Sequence, residues 1–346
     1  MQNDKQGTFI ISLDFELFWG VHDVYKKEQY EQNVRGAHNV VLSLLEMFTH
    51  YRIHATWAVV GMIYCQNPEE LTRIVPDLKP TYKNEKLSSY TYFQDHLIGE
   101  KDQDLFFAPY LIERIASTPN QEIATHTFSH YYCLEDGQTV EQFSSDLQLA
   151  QKKSRQSGRE LKSIVFPRNQ IKEEYLKECK RLGLIAYRGN EESWVYRIQS
   201  TEKKRYLKRA LRLLDRYINI FGHQTFELPQ RFSDALPLNI PSSRYLARCS
   251  ERLKSLEGLR MKRILSDMTS AAQQGKAYHL WWHPHDFGRN TSENLAFLEK
   301  ILEHFLQLQK TYGFRTRNMN ELASDITHEK EDRNDYKVEE TVFYYK

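Results

Sequence analysis

The chain has 346 residues, enough to bury a large core in a single barrel-type domain. Its 48 basic and 46 acidic residues nearly balance at a formal charge of +2, which excludes a global attraction to nucleic acid or acidic polymer. No run approaches the ~18 to 20 apolar residues of a membrane span, and Met1 to Gln6 read as a polar lead into a strand, not as a signal peptide. Cys65, Cys133, Cys179 and Cys249 are scattered and form no C-x-x-C pair, so free thiols and a reducing, cytoplasmic setting are expected. Aromatic residues make up 13%, with 21 tyrosines, which suits sugar-stacking surfaces and ordinary packing alike.

Thr8-Phe9-Ile10-Ile11-Ser12-Leu13 is a nearly continuous apolar run, as in a strand covered on both faces, and predicts a strand near 8–14. It ends in Asp14-Phe15-Glu16, and carboxylates at the end of a buried strand are costly unless a cation or a donor meets them. Val40, Val41, Leu44, Leu45 and Phe48, continued by Tyr51, mark a helix face. A second strand is expected near 55–60. Residues 64–108 are too long for a simple connection and rich in aromatics such as Tyr82, Tyr90 and Phe106; they read as an insertion that forms a lid. A third strand near 122–125 leads into His126-Thr127-Phe128-Ser129-His130. If the chain turns helical there, the two imidazoles stand at i and i+4 on one side. That spacing gives one divalent metal two nitrogen ligands.

Thr139 with Gln142 reads as a capping box opening a helix with Val140, Phe143 and Leu147 on its buried face. Strands near 163–167 and 184–188 flank a stripe of Tyr175, Leu176 and Cys179 closed by Gly183. Residues 195–250 form a second insertion. Within it, 203–221 is a basic amphipathic helix that packs on the barrel with its basic face in solvent, or else lies on an anionic membrane surface. A strand near 277–283 delivers His283-Pro284-His285-Asp286; a helix stripe from Leu295 to Phe305, a strand near 313–316 and a charged tail at 327–346 follow. About seven strands alternating with helices imply βα units and a parallel sheet. Chemistry-bearing side chains at strand ends suit a closed or deformed barrel.

These segments resemble, in order, the polysaccharide deacetylases, metal-dependent carbohydrate esterases that share the NodB homology domain. The resemblance rests on Ser12-Leu13-Asp14-Phe15-Glu16, Ala55-Thr56-Trp57-Ala58-Val59-Val60-Gly61, His126 to His130, Phe166-Pro167-Arg168-Asn169 and Leu280-Trp281-Trp282-His283-Pro284-His285. It implies a distorted (β/α)7 barrel with long inserted loops over residues 1–326. Two departures stand out. Many relatives carry adjacent aspartates at the first motif, whereas one residue separates Asp14 from Glu16, and the proline precedes Arg168 instead of following it. Side chains two apart on a strand still face the same way.

By resemblance Asp14 is the general base, and Glu16 joins His126 and His130 as metal ligand, with the reverse assignment of the two acids left open. Arg168 holds Asp14 ionised, His283 is the acid with His285 as runner-up, and Trp194 stands for a shielding aromatic. The remaining histidines read as surface or packing residues. The implied cofactor is one divalent transition metal, zinc by default, with Co, Ni, Fe or Mn also suited to the donors. Such a site fits removal of an N-acetyl group from a sugar of a glycan precursor in surface-polysaccharide synthesis. Ring opening of a cyclic amide or ureide, and carbohydrate binding without catalysis, are the alternatives. The oligomeric state is not legible.

Overall fold

The computed structural model describes residues 6–191, 211, 213–228, 233 and 235–326. Trp194, residues 203–210 and 212 of the basic 203–221 segment and the 327–346 tail lie outside them. The strands are β1 (Thr8–Phe15), β2 (Ala55–Val59), β3 (Gln121–Thr125), β4 (Ser163–Ile164), β5 (Ala186–Gly189), β6 (Leu238–Pro241), β7 (Arg244–Tyr245), β8 (Ala277–Trp282) and β9 (Arg315–Thr316). They pair in parallel in the order β6-β5-β4-β3-β2-β1-β8-β7, with β9 beside β1. β1 is central: Ile11 to Phe15 pair with β2, Thr8 to Leu13 pair with β8, and β9 lies opposite Thr8 and Phe9.

β6 and β7 are one extended stretch that changes partners. Between them the Ser242 amide donates to the Gly189 carbonyl and the Ser243 amide to the His279 carbonyl, both at 2.8 Å. The stretch therefore joins β5 to β8 and supplies the seventh strand of a distorted (β/α)7 barrel. Seven strands were expected and seven build the barrel, but the seventh is this stretch from within 195–250, while 313–316 supplies only the short β9. Leu238-Asn239-Ile240-Pro241 is short, has an exposed residue in its middle and ends in proline, so it lacks the apolar run of the other strands.

Helices α1 (Lys27–His50), α2 (Pro68–Ile74), α3 (Ser89–Asp95), α4 (Pro109–Ser117), α5 (Val140–Gln156), α6 (Glu173–Arg181), α7 (Glu257–Gln274) and α8 (Thr291–Tyr312) surround the sheet. The expected stripes are the buried ones: Val40, Val41, Leu44, Leu45 and Phe48 on α1, and Phe143 and Leu147 on α5 behind the Thr139–Gln142 capping box. The 64–108 segment packs against the barrel. Tyr90, Leu105 and Phe106 are buried, Trp19 donates Nε1–H to the Phe106 carbonyl at 2.8 Å, and Ser89 donates to the Ser129 carbonyl at 2.8 Å.

Every residue of β1 is buried. Phe9, Ile11, Leu13 and Phe15 join the outer core beneath the helices, while Ile10 enters the lumen with Ala58, Ala124, Val165, Ala186 and Ile240. Small side chains there leave room for Met319, Leu322 and Ala323, from a helix that spans 319–326 of the described residues and plugs the lower end of the barrel. Its first amides are held by Thr56 Oγ1 at 2.9 Å and Glu122 Oε2 at 3.0 Å. No helix among the described residues is long and apolar enough to cross a membrane. All four cysteines are free, as expected, and three of them are buried.

Candidate metal centre and active site

β1 carries Asp14 near its C-terminal end and Glu16 just beyond it, two residues apart and both buried. Past Glu16 the chain turns sharply through Leu17 at φ +47°. Gly20 then passes so close that any Cβ there would overlap the Glu16 carboxylate. His126 follows β3, but the chain does not become helical. Thr127 and His130 sit in the left-handed region at φ +63° and +59°, so the imidazoles converge across a tight loop and not along a helix face. A β-branched residue in that region is strained and persists only when its surroundings hold it.

Several contacts hold this loop. Gly61 donates its amide to the Thr127 carbonyl at 2.9 Å and is close enough to Phe128 that a side chain would clash. Asp146 on α5 accepts from the amides of Phe128 at 2.6 Å and Ser129 at 3.2 Å, and from the Ser129 hydroxyl. Burial pushes the Asp146 carboxyl up to about 6 against those donors. A charged residue on the buried stripe of a helix was the available signal for Asp146, and the helix pattern alone had concealed it.

Glu16 Oε2 lies 3.3 Å from His126 Nε2 and 3.1 Å from His130 Nε2. His126 donates Nδ1–H to the Val165 carbonyl at 2.8 Å, because a carbonyl can only accept. In the neutral ring its Nε2 lone pair then faces a carboxylate oxygen, acceptor against acceptor. A cation between the two relieves that repulsion. Burial lowers His130 to about 4, leaving the ring neutral, and Nδ1 is 3.1 Å from the Tyr132 hydroxyl. Burial by itself would raise Glu16, but His283, His126 and His130 outweigh it and hold the carboxyl well below its usual range. Two imidazoles and one carboxylate, oriented from behind, fit a divalent transition metal.

Asp14 lies beside the same centre, on the lumen side. Arg188 on β5 grips it with two parallel hydrogen bonds, Nη1 to Oδ1 at 2.6 Å and Nη2 to Oδ2 at 2.7 Å, with both side chains buried. Burial favours the neutral acid, yet Arg188 overcomes it and keeps Asp14 below its ordinary value. The guanidinium also donates to Ser12 Oγ at 3.1 Å and Asn169 Oδ1 at 3.0 Å and lies 4.2 Å over the Trp281 ring. The arginine expected on Asp14, Arg168, instead reaches outward to Asp23 at 2.5 Å and stacks on Tyr132 at 4.5 Å. Arg168 and Asn169 both adopt φ +53°, and that turn leaves Asn169, not Arg168, facing the lumen pair. An arginine ending an apolar strand was the sequence signal for Arg188.

On the opposite side, His283 follows β8 and donates Nδ1–H to Asp286 Oδ2 at 2.8 Å; Tyr245 donates to the same oxygen at 2.6 Å. Its Nε2 faces Asp14 Oδ2 at 3.8 Å and Glu16 Oε1 at 3.7 Å. Burial opposes protonation of His283, but Glu16, Asp286 and Asp14 together raise it to about 10. Asp286 falls to about 2, because His283 outweighs the burial that would raise it. His285 stacks on His283 at 5.0 Å, with Nε2 3.8 Å from Glu16 Oε1 and its protonation disfavoured by burial. Asp286, to which the sequence pattern assigned no role, is the partner that sets the His283 tautomer.

Residues 35–187 match the polysaccharide deacetylase family model, and no curated protein sequence matches the chain. A candidate polysaccharide deacetylase from Mycobacterium smegmatis superposes with a TM-score of 0.59 at 13% identity, over 95% of this chain and 94% of that one. A counterpart from Pseudomonas aeruginosa PAO1 gives 0.55 at 11%, over 92% and 89%. A 4-alpha-glucanotransferase from Thermococcus litoralis gives 0.52 at 12%, over 92% of this chain and 40% of that one. At such identities the superpositions establish the barrel alone. The family match over 35–187 takes in His126, His130 and Arg168 but not Asp14, Glu16 or His283, so over that stretch the chain is similar to the polysaccharide deacetylases.

Proposed function

We propose that this protein is a metal-dependent hydrolase that removes an N-acetyl group from a sugar of a glycan precursor, in the cytoplasm, during surface-polysaccharide synthesis. The carrying observation is that Glu16, His126 and His130 converge between two differently tuned pairs, Asp14–Arg188 and His283–Asp286. Hydrolysis of an amide needs an activated carbonyl, a base for the water proton and an acid for the departing amine. A divalent transition metal on Glu16, His126 and His130, zinc by default and Co, Ni, Fe or Mn by the same donor chemistry, would polarise the acetyl carbonyl.

Asp14 is the base in this reading: Arg188 keeps it ionised and fixes its orientation. His283 is the acid and carries its transferable proton on Nε2, the nitrogen that faces Asp14 and Glu16. Asp286 fixes the Nδ1–H tautomer and stabilises the imidazolium until the amine takes the proton. Arg188 also answers the inverted proline–arginine order, which together with the altered first motif motivates the reading as a non-catalytic binding protein. A cavity of about 1090 Å³ bounded by Asp23, Tyr92 and His96 leaves room for a saccharide. Asp23 links it to the site through Tyr132, whose hydroxyl is 3.5 Å away and neighbours His130. The four unpaired cysteines support a reducing compartment.

Metal analysis and acetate release from N-acetylated sugars test the proposal. The expected result is about one equivalent of metal, with kcat lowered roughly 10²- to 10⁴-fold by Asp14→Asn at unchanged metal content. Metal-loaded protein that releases no acetate, or an Asp14→Asn variant as fast as wild type, overturns it. Turnover of small cyclic amides in place of acetylated sugars would transfer the reading to ring-opening hydrolysis. Native protein found in an exported fraction would refute the cytoplasmic assignment.

A further inference from the structure

A second cavity, of about 360 Å³, borders Asp286. Its walls include Tyr25, Tyr30, Arg216, Tyr217, Tyr245 and Arg248, and Asp286 forms the wall it shares with the acid pair. The Tyr245 hydroxyl donates to Asp286 at 2.6 Å, and the Tyr30 hydroxyl lies 3.5 Å from its other oxygen. Tyr25 and Tyr30 stack at 4.5 Å with ring planes 8° apart, giving a flat aromatic side. The cavity thus stands one hydrogen bond away from His283.

Among the described residues its lining carries three arginines against two carboxylates, Glu257 and Asp286. Arg260 is engaged by Glu257 at 2.6 Å and lies 3.9 Å over the Phe297 ring, while Asp286 is engaged by His283. Arg216 and Arg248 remain without a carboxylate partner among the described residues; Arg216 rests 5.9 Å from the centre of the Tyr245 ring and Arg248 is exposed. Two guanidinium groups with no carboxylate partner among the described residues, set at an aromatic-walled cavity, are suited to a phosphate or diphosphate, which arginine binds through paired donors. The segment that supplies Arg216 and Tyr217 also exposes Leu213, Leu214, Ile218 and Ile220, each at 45% or more. An apolar ridge beside an anion pocket favours a diphosphate carried by a lipid over one carried by a nucleotide.

We infer that this cavity binds the phosphate or diphosphate of an activated sugar while the acetamido group of that sugar meets the Glu16–His126–His130 centre. The inference rests on the deacetylase reading and names its substrate class. The metal-loaded enzyme is assayed on three N-acetylhexosamine substrates: a neutral oligosaccharide, a uridine-diphosphate sugar, and a short prenyl-diphosphate sugar in detergent. In the wild type a diphosphate-linked sugar is preferred over the neutral one. The Arg216→Ala/Arg248→Ala double variant raises KM for it about 10- to 100-fold, with kcat little changed, and Arg→Lys at both positions restores part of the loss. Preference for the prenyl substrate assigns a lipid carrier, and preference for the uridine one a nucleotide carrier.

Calorimetry with uridine diphosphate compares wild type and double variant directly, so any contribution of the metal is common to both. Binding lost in the variant without turnover of any substrate keeps the subsite and removes the deacetylase reading. Turnover with the same KM and the same substrate preference in both proteins overturns the subsite and leaves the deacetylase reading standing.

Discussion

Ile10, Ser12 and Asp14 alternate along one face of β1, yet they enter two different media. Ile10 packs against Ala58, Ala124 and Val165 over the plug of Met319, Leu322 and Ala323. Asp14, four residues on, meets a buried guanidinium, and Ser12 between them touches both Arg188 and His279. The lower lumen is held together by removing apolar surface from water, and no single contact there is indispensable. The upper lumen is held by charges that are tolerable only as a set, since each would be costly alone. Apolar burial dominates the lower end and paired charge the upper, although the same strands build both.

The largest expected effect comes from breaking the upper set. Arg188→Met leaves Asp14 buried without its counter-ion and is expected to destabilise by about 3–5 kcal/mol in denaturant unfolding. Any activity that survives should show its acidic limb moved to higher pH, because the group that holds Asp14 down is gone. Unchanged unfolding together with an unchanged pH profile would dissolve the distinction between the two ends.

Leu322→Ala probes the lower end. It should cost about 2–5 kcal/mol through lost burial and the cavity left behind, with kcat and metal content close to wild type. Gly20→Ala returns to the upper end: the new methyl displaces the Glu16 carboxylate, so metal affinity should fall about 10- to 100-fold, read by competition with a chelator. Wild-type affinity would show that Glu16 does not need that space.

The smallest effect is on pH dependence and sharpens the same contrast. Burial lowers His279 to about 3, helped by Arg188, against an ordinary value of 6.5. Above pH 6.5 the ring is neutral in both folded and unfolded chains and its contribution to stability is complete. Between 6.5 and about 3 the unfolded chain binds a proton that the folded one refuses. Stability should therefore fall with pH by up to about 1.4 kcal/mol per unit from this group. A His279→Gln variant, compared by thermal unfolding from pH 7 to pH 5, should show a shallower decline.

From the residues alone, the strand carrying Asp14 and Glu16, the paired histidines, the late His-Pro segment and the alternation that makes a parallel barrel could all be read. Each is a local pattern: period, spacing, or a charge closing an apolar run. The capping box at Thr139 and the apolar faces of α1 and α5 were legible for the same reason. Which groups meet was not. Arg188 displaces Arg168 because the turn at 168–169 points one side chain outward and leaves the lumen to a residue on another strand. Asp146 holds the histidine loop from a helix, and the stretch 238–245 closes the barrel from within an apparent insertion. Spacing along a chain constrains neighbours a turn or a strand apart; pairing across the barrel depends on register, left-handed turns and the space a glycine leaves, and these exist only once the sheet has closed.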